Sequence, residues 1–285
     1  MLAFVSRSRE QRSVPSLVRA LRLGALGLHI ALTSLGCRLL SQRFDERTRE
    51  RRARRWSAIL LRILGVRVVL RGRPPLPGRA VLFVANHITW LDVQALSTVH
   101  GARFVAKHEV ADWPLIGRVA RHIGTVFFRR RSYRETYRAV NAVTSTLRAQ
   151  QCVAVFPEGT TTQGESVETF RPAFLQAAIN SGVPVQPLAI SYSSINGVAN
   201  AAIAYAGERT FLSSLWAVLR EPRLTVELHF GPELSARNTT RRELAALAHH
   251  IVRARLEQCS LAPLAGAAGN RRRRSIFVAP VAATG

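Results

Sequence analysis

Two short apolar runs, VLFVA at 81–85 and CVAVF at 152–156, each break off abruptly into polar residues. An unbroken apolar stretch of about five residues suits a strand buried on both faces, as occurs where helices cover both sides of a sheet. The polar residues then fall at the strands' carboxyl ends, the edge where open α/β sheets bind ligands. After the first run come Asn86-His87-Ile88-Thr89-Trp90-Leu91-Asp92, and the second runs into Phe156-Pro157-Glu158-Gly159-Thr160.

An imidazole and a carboxylate separated by a short turn can hydrogen-bond. Asp92 would then fix the ring tautomer and leave the other nitrogen of His87 free to take a proton from an attacking hydroxyl. His87 is the candidate base and Asp92 its partner. The bland alternative is a half-buried histidine followed by an aspartate that caps a helix. Glu158 stands at a strand end where it can meet a substrate hydroxyl or shape the site loop; the plainer alternative is a carboxylate that steadies its own turn. Gly159 suits a positive φ or a close ligand approach.

These residues resemble the glycerolipid acyltransferases typified by 1-acylglycerol-3-phosphate acyltransferase, whose first motif is N-H-x4-D and whose third is F-P-E-G-T. Further motifs follow in the family's order over roughly residues 66–234. Gly124-Thr125-Val126-Phe127-Phe128-Arg129-Arg130 resembles the second motif, whose arginine contacts the acceptor's phosphate, and that place falls on Arg130. Val183-Pro184-Val185-Gln186-Pro187 resembles the fourth. Lys107, followed by Trp113-Pro114-Leu115-Ile116-Gly117, matches a stretch that in relatives sets a lysine near the site. Carried over from the family, Lys107, Arg130, Glu158, Gly159 and Thr160 are expected to bind substrate, with Arg171 as an added positive charge at the start of the next helix.

One position departs from the pattern. The third motif usually continues with arginine, and here that place is Thr161. A hydroxyl cannot reproduce a bidentate guanidinium clamp on phosphate. The variant F-P-E-G-T-T also resembles members acting on lyso-ornithine lipids, whose head group has no phosphate. The resemblance therefore implies transfer of an acyl group from an acyl-CoA or acyl carrier protein thioester to a lysolipid hydroxyl. The first acceptor is 1-acyl-sn-glycerol-3-phosphate, giving phosphatidic acid, with lyso-ornithine lipid as the alternative. No G-x-S-x-G elbow is present, so direct attack without a covalent enzyme intermediate is expected. N–H groups near Gly159, or at the helix after His87, are candidate oxyanion donors.

No cofactor and no metal are expected. Cys37, Cys152 and Cys259 lack C-x-x-C spacing, His108-Glu109 lacks a zincin's second histidine, and His249 and His250 fall on different helix faces.

Forty-one Lys and Arg residues against 17 Asp and Glu give a net charge of +24, and Lys107 is the only lysine. A chain this basic seeks an anionic membrane surface, an acidic carrier protein or nucleic acid. Its aromatics cluster in apolar strands and no helix-turn-helix or zinc-finger spacing occurs, so nucleic acid is set aside. The apolar run 23–37, only 15 residues long, falls short of the roughly 20 needed to span a bilayer. It is expected to insert at the interface, with the arginines of 43–55 on anionic headgroups and the apolar face Ile59, Leu60, Ile63 and Leu64 ending at Gly65. A solvated helix face paired with Asp45, Glu46 and Glu50 is the alternative for that arginine run. The resemblance places the protein at the cytoplasmic face of the inner membrane.

The reading is an α/β fold with a mixed central sheet flanked by helices, preceded by membrane-associating helices. Residues 1–65 form the N-terminal region, 66–260 the catalytic domain and 261–285 a disordered Ala/Gly/Arg-rich tail. Strands are predicted near 67–70, 80–85, 102–106, 124–128, 152–156, 185–192 and 224–230. Capping boxes at Ser132/Glu135 and Thr240/Glu243, and Pro172 as a first helical residue, mark helix starts.

Overall fold

The computed structural model describes residues 13–40, 45–76, 78–113, 116–122, 124–129, 132–195, 197–198, 200–207 and 209–261. The expected tail, apart from Leu261, lies outside them, as do residues 1–12 and Arg130. Two helices, α1 (Ser16–Leu40) and α2 (Glu46–Leu64), precede strands β1 (Val66–Arg71) and β2 (Leu82–Ala85). Helix α3 (Leu91–Val99) leads to β3 (Arg103–Lys107), a 3₁₀ turn (His108–Asp112), α4 (Ile116–His122) and β4 (Val126–Phe128). Then come α5 (Tyr133–Arg148), β5 (Val153–Val155), α6 (Leu175–Ser181), β6 (Val185–Ser194) and β7 (Gly197–Val198). Helices α7 (Asn200–Ile203) and α8 (Phe211–Arg220), strand β8 (Leu224–Phe230) and α9 (Arg241–Leu261) complete the described chain.

The strands form one mixed sheet in the order β1-β8-β6-β2-β5-β3-β4, with β7 added to β6. Strand β6 runs antiparallel to β8 and β7, whereas β1 with β8, β6 with β2, and the β2-β5-β3-β4 pairs are parallel. All seven predicted strands are present, and only the two-residue β7 was missed. β2 shows why its sequence is apolar throughout. Val81, Phe83 and Ala85 pack into the core beneath α2, α3 and α8, while Ala80, Leu82 and Val84 pack into the opposite core against α5, α6 and α9. With side chains alternating at period two, a central strand covered on both faces has no position left for a polar residue. The polar residues of this segment begin at Asn86, where the strand ends.

Helix boundaries follow local chemistry. Ser132 caps α5 by accepting from the Glu135 N–H at 3.1 Å. At α9, Thr240 Oγ1 accepts the Glu243 N–H at 3.2 Å while Glu243 Oε2 accepts the Thr240 N–H at 2.8 Å, a reciprocal box. Gly65 ends α2 at φ 74°, its N–H reaching the Arg62 and Leu61 carbonyls. Pro172 does not open a helix. The chain turns first, with the Leu175 N–H donating to Pro172 O at 3.2 Å, and α6 starts at Leu175. Arg171 accordingly sits in the loop before α6.

The N-terminal region differs from expectation in length. α1 has 25 residues, because the arginine-bearing turns before Leu23 continue the apolar helix, and its stretch Ser16–Gly36 is long and apolar enough to cross a membrane. Its polar groups nonetheless turn toward the protein. His29 stacks on Trp56 at 5.5 Å, Arg19 lies 5.1 Å over the Trp216 ring, and Arg22 donates to the Glu221 carbonyl at 3.4 Å. Leu17, Leu21, Leu28, Leu32 and Leu35 form an exposed stripe on the other side, and Leu212 of α8 is exposed as well. From Arg47 to Arg55 the arginine run lies within α2, a single helix capped by Asp45, which accepts the Thr48 N–H at 3.2 Å, and Arg43 lies outside the described residues.

Candidate active site

The loop after β2 is fastened before any catalytic group is placed. Asn86 is buried at the strand end and pairs with β6 as a backbone residue would, its Nδ2 donating to Ile190 O at 2.9 Å and its Oδ1 accepting the Ile190 N–H at 2.7 Å. His87 follows with its direction fixed. The His87 ring stacks on Phe156 at the end of β5, centroids 4.0 Å apart, and its Nδ1 lies 2.7 Å from Asp92 Oδ2. Its Nε2 has no hydrogen-bond partner among the described residues. With the side chain about one-fifth exposed, Nε2 is the nitrogen left to exchange a proton with a substrate.

Asp92 is the second residue of α3 and fully buried. Oδ2 also accepts the N–H groups of Ile88 at 2.7 Å and Thr89 at 3.0 Å, and Oδ1 accepts the Tyr192 hydroxyl at 2.6 Å. Asp92 is therefore not the cap of α3, whose N-cap is Trp90; its carboxylate orients His87 and gathers the N–H groups of the loop before the helix. The same geometry narrows the expected oxyanion donors. The N–H groups of Ile88 and Thr89 point at Asp92, the His87 N–H donates to Glu158 Oε1 at 2.6 Å, and the Gly159 N–H closes a turn onto Phe156 O at 3.0 Å. These donors stabilise carboxylates and turns in place of a substrate oxyanion.

Glu158 is 3% exposed and ties the two motif loops together, accepting from the His87 N–H and, through Oε2, from the Glu168 N–H at 2.9 Å. Burial pushes its carboxyl up to about 7, against the two backbone hydrogen bonds that favour the anion, and the nearby charge of Asp92 pushes the same way as burial. Gly159 adopts φ 74°, as its residue type suggests. The loop beyond is locked to the first motif, since the Thr162 N–H donates to His87 O at 2.8 Å and the Tyr205 N–H to Ile88 O at 3.0 Å. Thr161, where the motif pattern has arginine, turns its hydroxyl to the Tyr205 carbonyl.

Against this loop lies a cavity of about 710 Å³ lined by Glu158, Thr160, Thr161, Glu165, Glu168 and Arg171, among others. Glu158, Thr160 and Arg171 thus share one cavity, which His87 and Asp92 do not line; the loop that walls it is tied to His87 through Glu158 and Thr162. Lys107 is exposed at the carboxyl end of β3, two strands from β2, and does not line the cavity. Arg130 lies outside the described residues; Arg129, after β4, is exposed. Tyr192, Asn86 and Asn200 escaped the sequence reading as site residues. A signal existed for Tyr192: a tyrosine on an inward position of an apolar strand needs a partner for its hydroxyl.

Comparison with known proteins places these features. The acyltransferase family model matches residues 67–191. The chain is 37% identical over 237 residues to the lyso-ornithine lipid O-acyltransferase of Pseudomonas aeruginosa, covering 82% of this chain and 90% of that one. It is 36% identical over 160 residues to the 1-acyl-sn-glycerol-3-phosphate acyltransferase of Neisseria gonorrhoeae, covering 56% and 62%. Its fold is that of the 1-acyl-sn-glycerophosphate (LPA) acyltransferase PlsC from Thermotoga maritima, with a TM-score of 0.68, 21% identity, and 87% and 96% of the two chains covered.

Proposed function

The chain belongs to the acyltransferase family, and from that premise we propose that it esterifies the free hydroxyl of a lysolipid whose head group carries an ammonium group in place of a phosphate. The donor in this reading is an acyl thioester of coenzyme A or of acyl carrier protein. The acceptor hydroxyl gives its proton to His87 Nε2 as its oxygen bonds to the thioester carbonyl carbon. Asp92 holds the Nδ1–H tautomer and balances the imidazolium charge. The tetrahedral centre then expels the thiolate, which takes the proton back from Nε2, leaving ester and free thiol.

The observation that carries the acceptor class is the lining of the cavity against the Glu158 loop, which is tied to His87 by the His87 N–H to Glu158 bond. In a chain with 17 acidic residues against 41 basic ones, two exposed glutamates, Glu165 and Glu168, line this one space beside the motif's buried Glu158 and a single arginine, Arg171. Ornithine linked through its α-nitrogen presents a carboxylate and a δ-ammonium, which this mixture of one guanidinium and exposed carboxylates suits. A dianionic phosphate would face carboxylates where the motif pattern supplies arginine, while Thr161 is turned to Tyr205. Similarity to the Pseudomonas relative over most of both chains supports the same acceptor.

For localisation we propose the cytoplasmic face of the inner membrane. There the exposed leucine stripe of α1 would enter the interface and the exposed arginines of α2 would meet anionic headgroups. The single-chain acceptor partitions into membranes and the two-chain product stays in the bilayer, so a membrane-seated domain suits the reading.

The test is acyl transfer by detergent-solubilised protein from long-chain acyl-CoA and acyl carrier protein thioesters, with lyso-ornithine lipid and lysophosphatidic acid offered in parallel and His87→Ala as control. Transfer to the aminolipid, lost in the control, is expected. Transfer to lysophosphatidic acid alone overturns the acceptor assignment, and undiminished transfer by the His87→Ala protein overturns the mechanism.

A further inference from the structure

Asp92 divides its two oxygens between two tasks. Oδ2 takes three donors from its own loop, the His87 ring and the Ile88 and Thr89 N–H groups, all within 3.0 Å. Oδ1 takes one donor from another part of the sheet, the Tyr192 hydroxyl at 2.6 Å. Both side chains are buried, Asp92 at 0% and Tyr192 at 2% exposure, so water does not replace that bond. The phenol is itself held in place. The Tyr192 N–H donates to Asn200 Oδ1 at 2.7 Å, and Asn200 Nδ2 donates to the Gly164 carbonyl at 3.2 Å, in the loop that walls the cavity.

We propose that Tyr192 is a positioning residue for acyl transfer, its hydroxyl holding Asp92 as the anion and thereby setting the pH above which His87 acts as a base. The inference rests on the His87 base reading. The His87–Asp92 pair is negative when His87 is neutral and competent, and neutral once it has bound a proton. An O–H donated to the carboxylate stabilises the negative form more, because there the charge is not shared with an imidazolium. Without that donor the pair takes up its proton at higher pH. Burial, followed by the charge of Asp92, raises the phenol's own pKa well above its ordinary value, so it remains a donor throughout the working range.

The remaining neighbours of the pair are accounted for. Glu158, at the end of β5, is the other titratable group facing it, through the His87 N–H, and Glu168 faces Glu158 in turn. From α8 the neutral Ser214 approaches Thr89 Oγ1 at 3.4 Å and Phe211 packs on Trp90, and Phe156 covers the imidazole face.

The experiment measures kcat and KM from pH 5 to 9 for the full chain with Tyr192→Phe, alone and in a Glu158→Gln background. We expect the acid limb of kcat/KM to move up by about one pH unit and plateau kcat to fall about tenfold, with KM within about twofold. The shift should appear in both backgrounds, because it belongs to Asp92 and His87. An unmoved limb with a uniform loss of kcat, or a loss carried by KM, would reduce Tyr192 to packing and overturn the proposal. Should Tyr192→Phe melt too low to assay, 3-fluorotyrosine installed at 192 decides the matter. Its more acidic hydroxyl is a stronger donor and must move the limb down, while no shift or an upward one overturns the proposal. If Glu158 and Tyr192 variants leave the profile alone and His87→Ala retains activity, it is the base assignment itself that has failed.

Discussion

Replacing Glu158 with glutamine turns a buried titrating carboxyl into a neutral isostere, and the stability difference between the two proteins should depend on pH by an amount the structure bounds. Burial lifts the carboxyl from its ordinary 4.5 to about 7, a displacement of about 2.5 (7 minus 4.5). Between those values the folded chain keeps a proton that the unfolded chain has lost. The stabilising contribution of Glu158 is thus fully present below pH 4.5, falls as pH rises through 7, and is absent above it. At 1.36 kcal/mol per unit the whole change is about 3 kcal/mol, an upper value because local relaxation reduces it. Glutamine offers one oxygen to the two N–H groups of His87 and Glu168, so the variant also loses about 1–3 kcal/mol at every pH. That offset is constant and the slope is the prediction. Thermal unfolding followed by circular dichroism in one detergent at fixed ionic strength, from pH 4.5 to 8, should show wild-type stability relative to Glu158→Gln declining by about 3 kcal/mol, or roughly 6–12 °C in melting temperature. Parallel curves would mean that Glu158 ionises like an exposed carboxylate, and a difference growing with pH would reverse the sign. Either result refutes the reasoning.

Asp92→Asn should lower kcat by about 10³–10⁴-fold with little change in KM, because an amide cannot hold the Nδ1–H tautomer; steady-state kinetics with intact circular dichroism checks it. Gly72 adopts φ 79°, and a Cβ there would overlap the Phe230 carbonyl oxygen, so Gly72→Ala should destabilise the β1–β8 edge by about 2–4 kcal/mol, read as a lower melting temperature with the pH profile unmoved. Leu28→Arg with Leu32→Arg, both on the exposed face of α1, should move the protein from anionic vesicles to the soluble fraction on flotation; unchanged binding would remove that face from the membrane contact.

Much of the fold was legible because its information is local. Unbroken apolar runs mark central strands, and the Ser132/Glu135 and Thr240/Glu243 spacings mark helix starts whose hydrogen bonds close within one turn. The His87–Asp92 contact was legible for the same reason, since five residues of chain bring the two groups together. What escaped depends on distant partners. Tyr192 reaches Asp92 across 100 residues, and Asn86 reaches Ile190 across 104. The length of α1 was misjudged because arginines interrupt its hydropathy; the fold absorbs Arg19 and Arg22 by turning them toward Trp216 and Glu221. The start of α6 was misplaced because proline at 172 suits a turn as well as a first helical turn.

The distribution of backbone donors connects stability to chemistry. Three consecutive N–H groups, of His87, Ile88 and Thr89, are taken by two buried carboxylates, Glu158 and Asp92. The charge of Asp92 is among the causes that lift Glu158. A loop evolved for stability alone would place neutral acceptors there. Anionic acceptors instead make the loop geometry most rigid when both groups are ionised, since an ionised Glu158 accepts from both N–H donors without rotating a proton out of the way. Relative to Glu158→Gln, whose acid limb belongs to His87 and Asp92 alone, activity of the native protein should therefore rise across pH 7 as the stability contributed by Glu158 declines. That opposition of trends distinguishes a carboxylate kept for positioning from one that merely tolerates burial, for which activity and stability would decline together.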